Sequence, residues 1–419
     1  MTFKLPAFLK GYRLFQIFIL GIISGMPFSI LYTSLIAYLK DYEIDLSIIT
    51  TFAIARLPYS LKIFWSPLID YFSLPILSKF GHRKSWMLLS SITICCILIA
   101  ISGIDPKESI VHLRFLALGL GIMAATYDIS YDALRIEMLD ENEQGIGAAN
   151  AVPAYRVGAY ITGGLALYVA GVSEDWRLTF LLMAGLFALG ALFIMSVREG
   201  AKAISPEATE SLKSKIKQFV VMPFMDIITR NHALVMLLAI VLYKLGEAML
   251  GFVTVPFCME IGYSKTQIGV VLKGYGLIAS LCGGYAGGLL LYRIGNINGM
   301  ICCGVLQAAS NLMYLWLHYQ PVLDSSLLTA VAIDNFTGAM GSTALVAYLS
   351  ILCNKNYTAT QYAFLSGLAT IMNNTLSMQA GSIIQFMGWD HFFYLTAFLE
   401  IPSLALLLYI GRRISKVSK

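Results

Sequence analysis

Charge is what this chain has least of: Asp, Glu, Lys and Arg together make up 13% of its 419 residues, where a soluble chain carries about a quarter. So few ionic groups cannot cover the water-facing surface of domains of this size, which excludes an ordinary soluble enzyme. Histidine is scarce too. The five residues, His82, His112, His232, His318 and His391, stand at the ends of apolar runs or in loops, with no nucleophile nearby. That argues against a membrane-embedded transferase. The seven cysteines, at 95, 96, 258, 282, 302, 303 and 353, have no metal-ligand spacing with histidine and read as small core residues. No metal, cofactor or catalytic residue is expected. A small-residue cleavage pattern is missing after MTFKLPAFLKGYRLF, so the first apolar run reads as a retained span, not a signal peptide.

What the chain has is hydrophobic length: 58% of the residues are hydrophobic and the mean hydropathy is +0.74. Apolar runs bounded by charge, Gly, Pro or Asn fall at about 13–37, 47–69, 86–104, 110–134, 146–170, 178–197, 232–256, 267–291, 299–317, 326–351, 361–387 and 392–411. Each is long enough for a membrane-spanning helix. The expected fold is an all-α membrane protein of twelve transmembrane helices with the bilayer as its solvent. The eleventh run, interrupted by Asn373, Asn374, Gln379 and Gln385, should face protein or water more than lipid.

The net charge of +5 does not imply nucleic acid, because membrane proteins keep Lys and Arg on the cytoplasmic side. With the N-terminus placed there, 19 of the 29 Lys and Arg fall in cytoplasmic segments, four outside (Lys40, Lys107, Arg177, Lys265) and six within spans. Both termini are therefore expected in the cytoplasm. The longest connection separates the sixth and seventh runs. It divides the chain into a six-helix half at 1–197, a linker at 198–231, a second half at 232–411 and a basic tail at 412–419. Six plus six is the pattern of transporters built from two related halves. SPLIDYF before FGHRK in the first half and GGLLLYRIGNING in the second form a weak internal echo. In the linker, Ser205 before Pro206 is a helix start, and the lysines that follow suggest an amphipathic helix on the inner membrane surface.

Ionisable side chains within spans are costly and usually face the bundle interior or water. The bases are Arg56, Lys62, Arg114, Arg156, Lys244 and Lys273, and the acids are Asp128, Asp132, Glu247, Asp334 and Glu400. Their spread over both halves suits a transport cavity better than a single catalytic centre. Asp128, Asp132 and Arg135 share one face of their helix by spacing. Either the two carboxylates lock arginines of neighbouring spans such as Arg156, or one of them carries a proton, since paired carboxylates in a low dielectric cannot both ionise easily. Glu247, three residues after Lys244, reads as a self-neutralising partner or a second proton site, and Asp334 as a lone acid for coupling. Glu400, in the last span, reads as structural. The bases would make a cavity attractive to anions, with Tyr32, Tyr59, Tyr127, Tyr131, Tyr155, Tyr160 and Trp65 as candidates for stacking on and hydrogen bonding to a sugar or ring. Gly21, Gly25 and Pro27 break the first span; Gly283, Gly284, Gly287 and Gly288 read as close helix packing.

Four ordered segments resemble the AmpG-type muropeptide permeases of the major facilitator superfamily. They are GIISGMPF (21–28), LKIFWSPLIDYF (61–72) followed by FGHRKSW, AATYDISYDALRIE (124–137) and GIGAANAVPAYRVGAYITGGLALYVAG (145–171). The second half matches in architecture and hydropathy alone. The chain departs from the family pattern at Tyr71, Tyr127 and Pro153. The resemblance implies import of anhydro-muropeptides across a bacterial inner membrane by proton symport, in a monomer with protons and lipid as its partners. Asp128, Asp132 and Arg135 match the family's fourth-span motif, Tyr155 and Arg156 its fifth, and Trp65, Ser66, Pro67 and Asp70 the end of the second. Asp70 with Arg83 and Lys84 resembles the superfamily's cytoplasmic latch, a gating rather than a binding element. Another organic anion such as acetyl-coenzyme A is the main alternative cargo, and a transporter-like receptor or a transferase are remoter readings; vesicle uptake separates them.

Overall fold

The computed structural model describes residues 11–197, 199 and 220–417, which form helices and short connections with no strand among them. Twelve helical stretches follow in order: α1 (Tyr12–Asp41), α2 (46–71), α3 (His82–Ser102), α4 (Pro106–Met138), α5 (144–173), α6 (Trp176–Ser196), α7 (Ala233–Glu260), α8 (Gln267–Ile294), α9 (Asn296–His318), α10 (Asp324–Leu352), α11 (358–387) and α12 (389–417). They coincide with the twelve apolar runs within a few residues. Nine helices among the described residues are long and apolar enough to cross a membrane. The others, α2, α5 and α11, are broken or polar. The expected linker helix falls largely outside the described residues, which resume with a short helix at Met222–Ile228.

Two compact units organise the described chain: 11–140 with 154–197, 220–223 and 353–367, and 141–153 with 224–352 and 368–417. Helices α5 and α11 therefore give their two ends to different units.

In the first unit, helix breaks follow the residues that cause them. Pro27 has no backbone N–H to give, and α1 widens into a π turn at Ile30–Ser34. Gly163 and Gly164 sit in a second π turn, Ile161–Leu165 of α5. In hydrocarbon the freed backbone groups need partners, and the two breaks supply them to each other. Ser34 Oγ donates to the Thr162 carbonyl, and Thr162 Oγ1 donates to the Met26 carbonyl. The helices can come this close because a Cβ at Gly25 would strike the Tyr155 carbonyl and one at Gly158 the Ile22 carbonyl. Helix α2 is the most irregular: Pro58 and Pro67 alternate with 3₁₀ turns at Phe52–Arg56 and Lys62–Phe64.

In the second unit, α8 and α10 pack through Gly283 and Gly287 against Phe336 and Met340, the close packing expected of those glycines. An aromatic core of Phe257, Tyr314, Trp389, Phe392 and Phe393 joins α7, α9 and α12. Gly388, at φ 78°, makes the turn between α11 and α12 that only glycine adopts without strain. The internal echo also has a backbone counterpart: α3 is entered through Gly81 at φ 129° and α9 through Gly295 at φ 83°.

Candidate functional site

Residues 114, 121, 128 and 135 of α4 are seven apart, close to two turns, and so share a face. The first three meet α2. The Arg114 guanidinium lies 5.8 Å from the centre of the Phe52 ring, Gly121 lets the Ala55 backbone against α4, and Asp128 Oδ2 accepts from Lys62 Nζ at 2.8 Å. Asp128 Oδ1 accepts from Ser24 of α1 at 2.8 Å, so both carboxylate oxygens are engaged. One turn on, Asp132 pairs with Arg135 of its own helix at 3.4 Å, and Arg135 lies 5.5 Å from the Tyr362 ring. The two carboxylates are thus neutralised by Lys62 and Arg135.

Above this pair is an arginine of a different kind. The Arg56 guanidinium stacks 3.8 Å from the centre of the Tyr32 ring, which is itself stacked on Phe28 at 4.2 Å. Tyr155 lies against Phe28 at 6.0 Å. Among the described residues neither Arg56 nor Arg114 makes a hydrogen bond or an ion pair, and the Nε of each is buried without a partner. The Tyr59 hydroxyl is buried without one as well. A guanidinium within a span usually faces a counter-charge, and among the described residues these two, both half-buried, show none.

Tyr127 does not join this cluster. One residue along α4 rotates a side chain by about 100°, and Tyr127, 1% exposed, donates its hydroxyl to the Leu20 carbonyl of α1. Tyr131, one turn later, donates to Ile17 in the same way. These tyrosines tie α4 to α1. Arg156 is half-buried on α5.

At the other end of α4 a second cluster gathers Asp70, Arg83 and Glu137. Arg83, 2% exposed, reaches Asp70 Oδ1 at 2.6 Å and Glu137 Oε1 at 2.7 Å, with a third bond to the Ile69 carbonyl at 3.0 Å. Only a guanidinium offers this planar set of donors. Asp70 also caps α11: its Oδ2 accepts from the Thr360 N–H at 2.8 Å and hydroxyl at 2.6 Å, and its Oδ1 from the Ala359 N–H at 3.3 Å. The carboxylate meets the positive end of that helix. Lys84 has another task. Its Nζ donates to the Met195 and Val197 carbonyls at 3.0 and 2.6 Å, closing the C-terminus of α6. Of the three residues expected as a latch, two meet and Lys84 stands apart. Glu199 completes the region by accepting from the Arg83 and Lys84 backbone N–H groups. Burial raises its carboxyl above the usual range, against the lowering effect of those two donors.

The second unit holds its own polar chain. α7 breaks at Tyr243–Lys244; there Lys244 pairs with Glu247 and donates to Gln307 Oε1 at 3.1 Å and the Gly338 carbonyl at 3.0 Å. Gln307 passes the contact on, donating to Glu400 Oε1 at 2.8 Å. Asp334 accepts from Tyr314 at 3.1 Å. The Lys273 side chain lies outside the described residues. Ser24, Glu137, Thr360 and Gln307 were not singled out from the sequence. Ser24 and Glu137 stand inside the quoted motifs, which was the available signal; uncharged Thr360 and Gln307 carried none. Glu400, read as structural, is tied to Lys244 through Gln307.

Known proteins can now be set beside this geometry. Residues 17–373 match the Major Facilitator Superfamily. A putative transporter AmpG 4 of Rickettsia felis is 47% identical over 407 residues, covering 97% of this chain and 98% of that protein. The anhydromuropeptide permease of Escherichia coli K12 is 34% identical over 403 residues, covering 94% and 80%. Among solved structures, the human organic anion transporter MFSD10 superposes with a TM-score of 0.71 at 15% identity, covering 94% and 98%. The proton:xylose symporter XylE does so at 0.67 and 12%, covering 94% and 95%. At such identities these two speak for the fold alone. Family match and close relatives together put the chain in the major facilitator superfamily of membrane transporters, among the AmpG-type permeases.

Proposed function

We propose that this transporter imports anhydromuropeptides across a bacterial inner membrane by proton symport, as a monomer with both termini in the cytoplasm. The observation that carries this reading is the excess of positive charge in the seam of α2 and α4. Lys62 is neutralised by Asp128 and Arg135 by Asp132, while Arg56 and Arg114 have no counter-ion among the described residues. A cell-wall fragment with several carboxylates and a disaccharide supplies the missing charge, and its sugar rings suit the stacked Phe28 and Tyr32. The printed names of the close relatives favour the same cargo.

The Lys62–Asp128 pair gives coupling a physical form. A proton on Asp128 removes the charge that holds Lys62, and the freed ammonium can then meet a substrate carboxylate. Proton and anion therefore each favour binding of the other, and by linkage the effect is reciprocal. Asp132 shares that task one turn along; Glu247 and Asp334 are the corresponding acids of the second unit, where Lys244 and Lys273 extend the basic lining, and Tyr155 and Arg156 line the substrate side of α5. Asp70, Arg83 and Glu137 act as the gate: the triad, with Asp70 and Arg83 buried and Glu137 at its edge, must part before α11 can leave that end of the unit.

Uptake of labelled anhydromuropeptide into proteoliposomes tests the reading. Accumulation should require an inward proton gradient, and Asp128→Asn or Asp132→Asn should abolish it while exchange at equal pH continues. Gradient-independent accumulation by both variants would remove the proton assignment, and no uptake by the wild type would remove the cargo.

A further inference from the structure

Glu400 of α12 is 1% exposed. Its Oε1 accepts from Gln307 at 2.8 Å, and its Oε2 is buried with no hydrogen-bond partner among the described residues. The charged and titratable groups that face it are Tyr243 and Lys244 of α7 and Asp334 of α10, and α9 adds the amides of Gln307 and Asn311. Lys244 is already paired with Glu247, and Asp334 has its own donor in Tyr314. An ionised Glu400 would therefore be a buried negative charge with one amide donor and no counter-ion, a costly state in a low dielectric. The geometry is that of a protonated carboxyl.

Glu400 and Lys244 also share a structural peculiarity, since both stand where a helix is interrupted. In α7 the helix stops at Leu242 and restarts at Leu245. In α12 it stops at Phe398 and restarts at Ile401, with Pro402 in the new first turn. The two breaks face each other across α9: Lys244 Nζ donates to Gln307 Oε1 at 3.1 Å, and Gln307 Nε2 donates to Glu400 at 2.8 Å. On one side of the breaks, Ser403 ties α12 to the Ala239 carbonyl of α7 at 2.8 Å. On the other, Gly246 lies against the Thr396 carbonyl, and the Phe257 and Phe393 rings are 4.8 Å apart. Helix α9, between them, is unbroken from Asn296 to His318. So α7 and α12 are two jointed rods with their joints at one level, beside a continuous one.

We infer that the Lys244–Gln307–Glu400 bridge is a proton-operated hinge, at which α7 and α12 bend together when Glu400 gives up its proton. The inference rests on the proton-symport reading and adds the element that the proton moves. Glu400 is a positioning residue that acts through Gln307. Loss of its proton to water leaves a carboxylate that gains a counter-ion only if Lys244 turns towards it and away from Glu247. Lys244 stands where the backbone ladder of α7 is already interrupted, so the turn happens at a joint and ruptures no helix. One base shared between two acids gives two discrete arrangements, and the proton on Glu400 decides between them.

Spin-label distances on the full chain in nanodiscs test the hinge. One label replaces Leu234, on α7 before its break, and the other Val305, on α9; both positions are exposed. With the native cysteines replaced by serine, the ratio of two separations should change about fivefold or more between about pH 5 and pH 9. Glu400→Gln keeps an oxygen for Gln307 and cannot ionise, so in that variant the ratio should stay constant. Infrared spectra of the unlabelled protein should show a protonated-carboxyl band that falls as pH rises and is missing in Glu400→Gln. A ratio that does not move in the parent protein, or that follows pH equally in Glu400→Gln, overturns the hinge. Neither measurement uses a substrate or a gradient. Failure of the symport reading would appear instead as gradient-independent uptake by a protein whose hinge still titrates.

Discussion

Lys62 and Asp128 illustrate how a buried ion pair constrains a membrane helix bundle at the residue scale. Both are nearly enclosed, at 9% and 15% side-chain exposure, so removing one partner leaves a charge in a low dielectric with nothing facing it. Breaking such a pair costs about 3–5 kcal/mol, whereas replacing both partners costs far less. Lys62→Met and Asp128→Asn should therefore each lower the melting temperature of the purified protein in detergent, and the double variant should recover most of the loss. A double variant no better than the worse single would mean that the two side chains do not support each other. The pairing itself could not be read from sequence. The seven-residue recurrence of 114, 121, 128 and 135 was visible there, but recurrence gives a face and not the neighbour across from it. Two bases on α2 and one on α5 were all available to Asp128. The choice of Lys62 depends on the Pro58 and 3₁₀ irregularities of α2, which rotate its side chains away from ideal helical positions. Tyr127 shows the same limit from the other direction: its place beside Asp128 in sequence suggested a shared cavity, and one step of helical rotation turned it into the packing against α1.

Elements were more legible than contacts, because hydrophobic length and helix breakers act locally. Pro27 marked a break that the chain has, and the positions of all twelve helical stretches followed from where charge and glycine interrupt apolar runs. What escaped was the capping at helix ends, since a cap is made by a residue distant in sequence. Glu199 closes α3 from more than 100 residues away, accepting from the Arg83 and Lys84 N–H groups at 2.8 and 3.1 Å. Loss of a capping acceptor costs about 1 kcal/mol, so Glu199→Ala should lower the melting temperature by a few degrees. The pH dependence has a definite sign. Burial raises this carboxyl in the folded protein, so the native state holds the proton more tightly than the unfolded chain. That contribution to stability is present below the ordinary glutamate range and is lost as pH climbs through the raised value. Glutamine at this position cannot ionise, so Glu199→Gln should gain on the wild type in melting temperature between about pH 4 and pH 7. A constant difference across that range would mean that Glu199 titrates normally.

At the scale of the whole molecule, orientation in the bilayer is the property that composition argues most directly. Each Lys or Arg carried to the outer face opposes the bias that sets topology during insertion, and with the N-terminus inside only four of 29 would be carried there. The reverse orientation would carry the other 19 that lie between spans, including Lys79, Arg83 and Lys84 before and at the start of α3 and Arg412 and Arg413 near the end of α12. Asp70 and Arg83 would then stand at the outer surface, where a latch could not respond to the cytoplasm. Single cysteines introduced at Ser78 and Ser325, in a background with the native cysteines replaced by serine, make this testable in intact cells with a membrane-impermeant maleimide. Ser78 precedes α3 and Ser325 opens α10, on the sides expected to be cytoplasmic and external. Position 325 should react in intact cells and position 78 only after the membrane is permeabilised. The opposite pattern would invert the topology and, with it, turn the proposed importer into an exporter of the same anions.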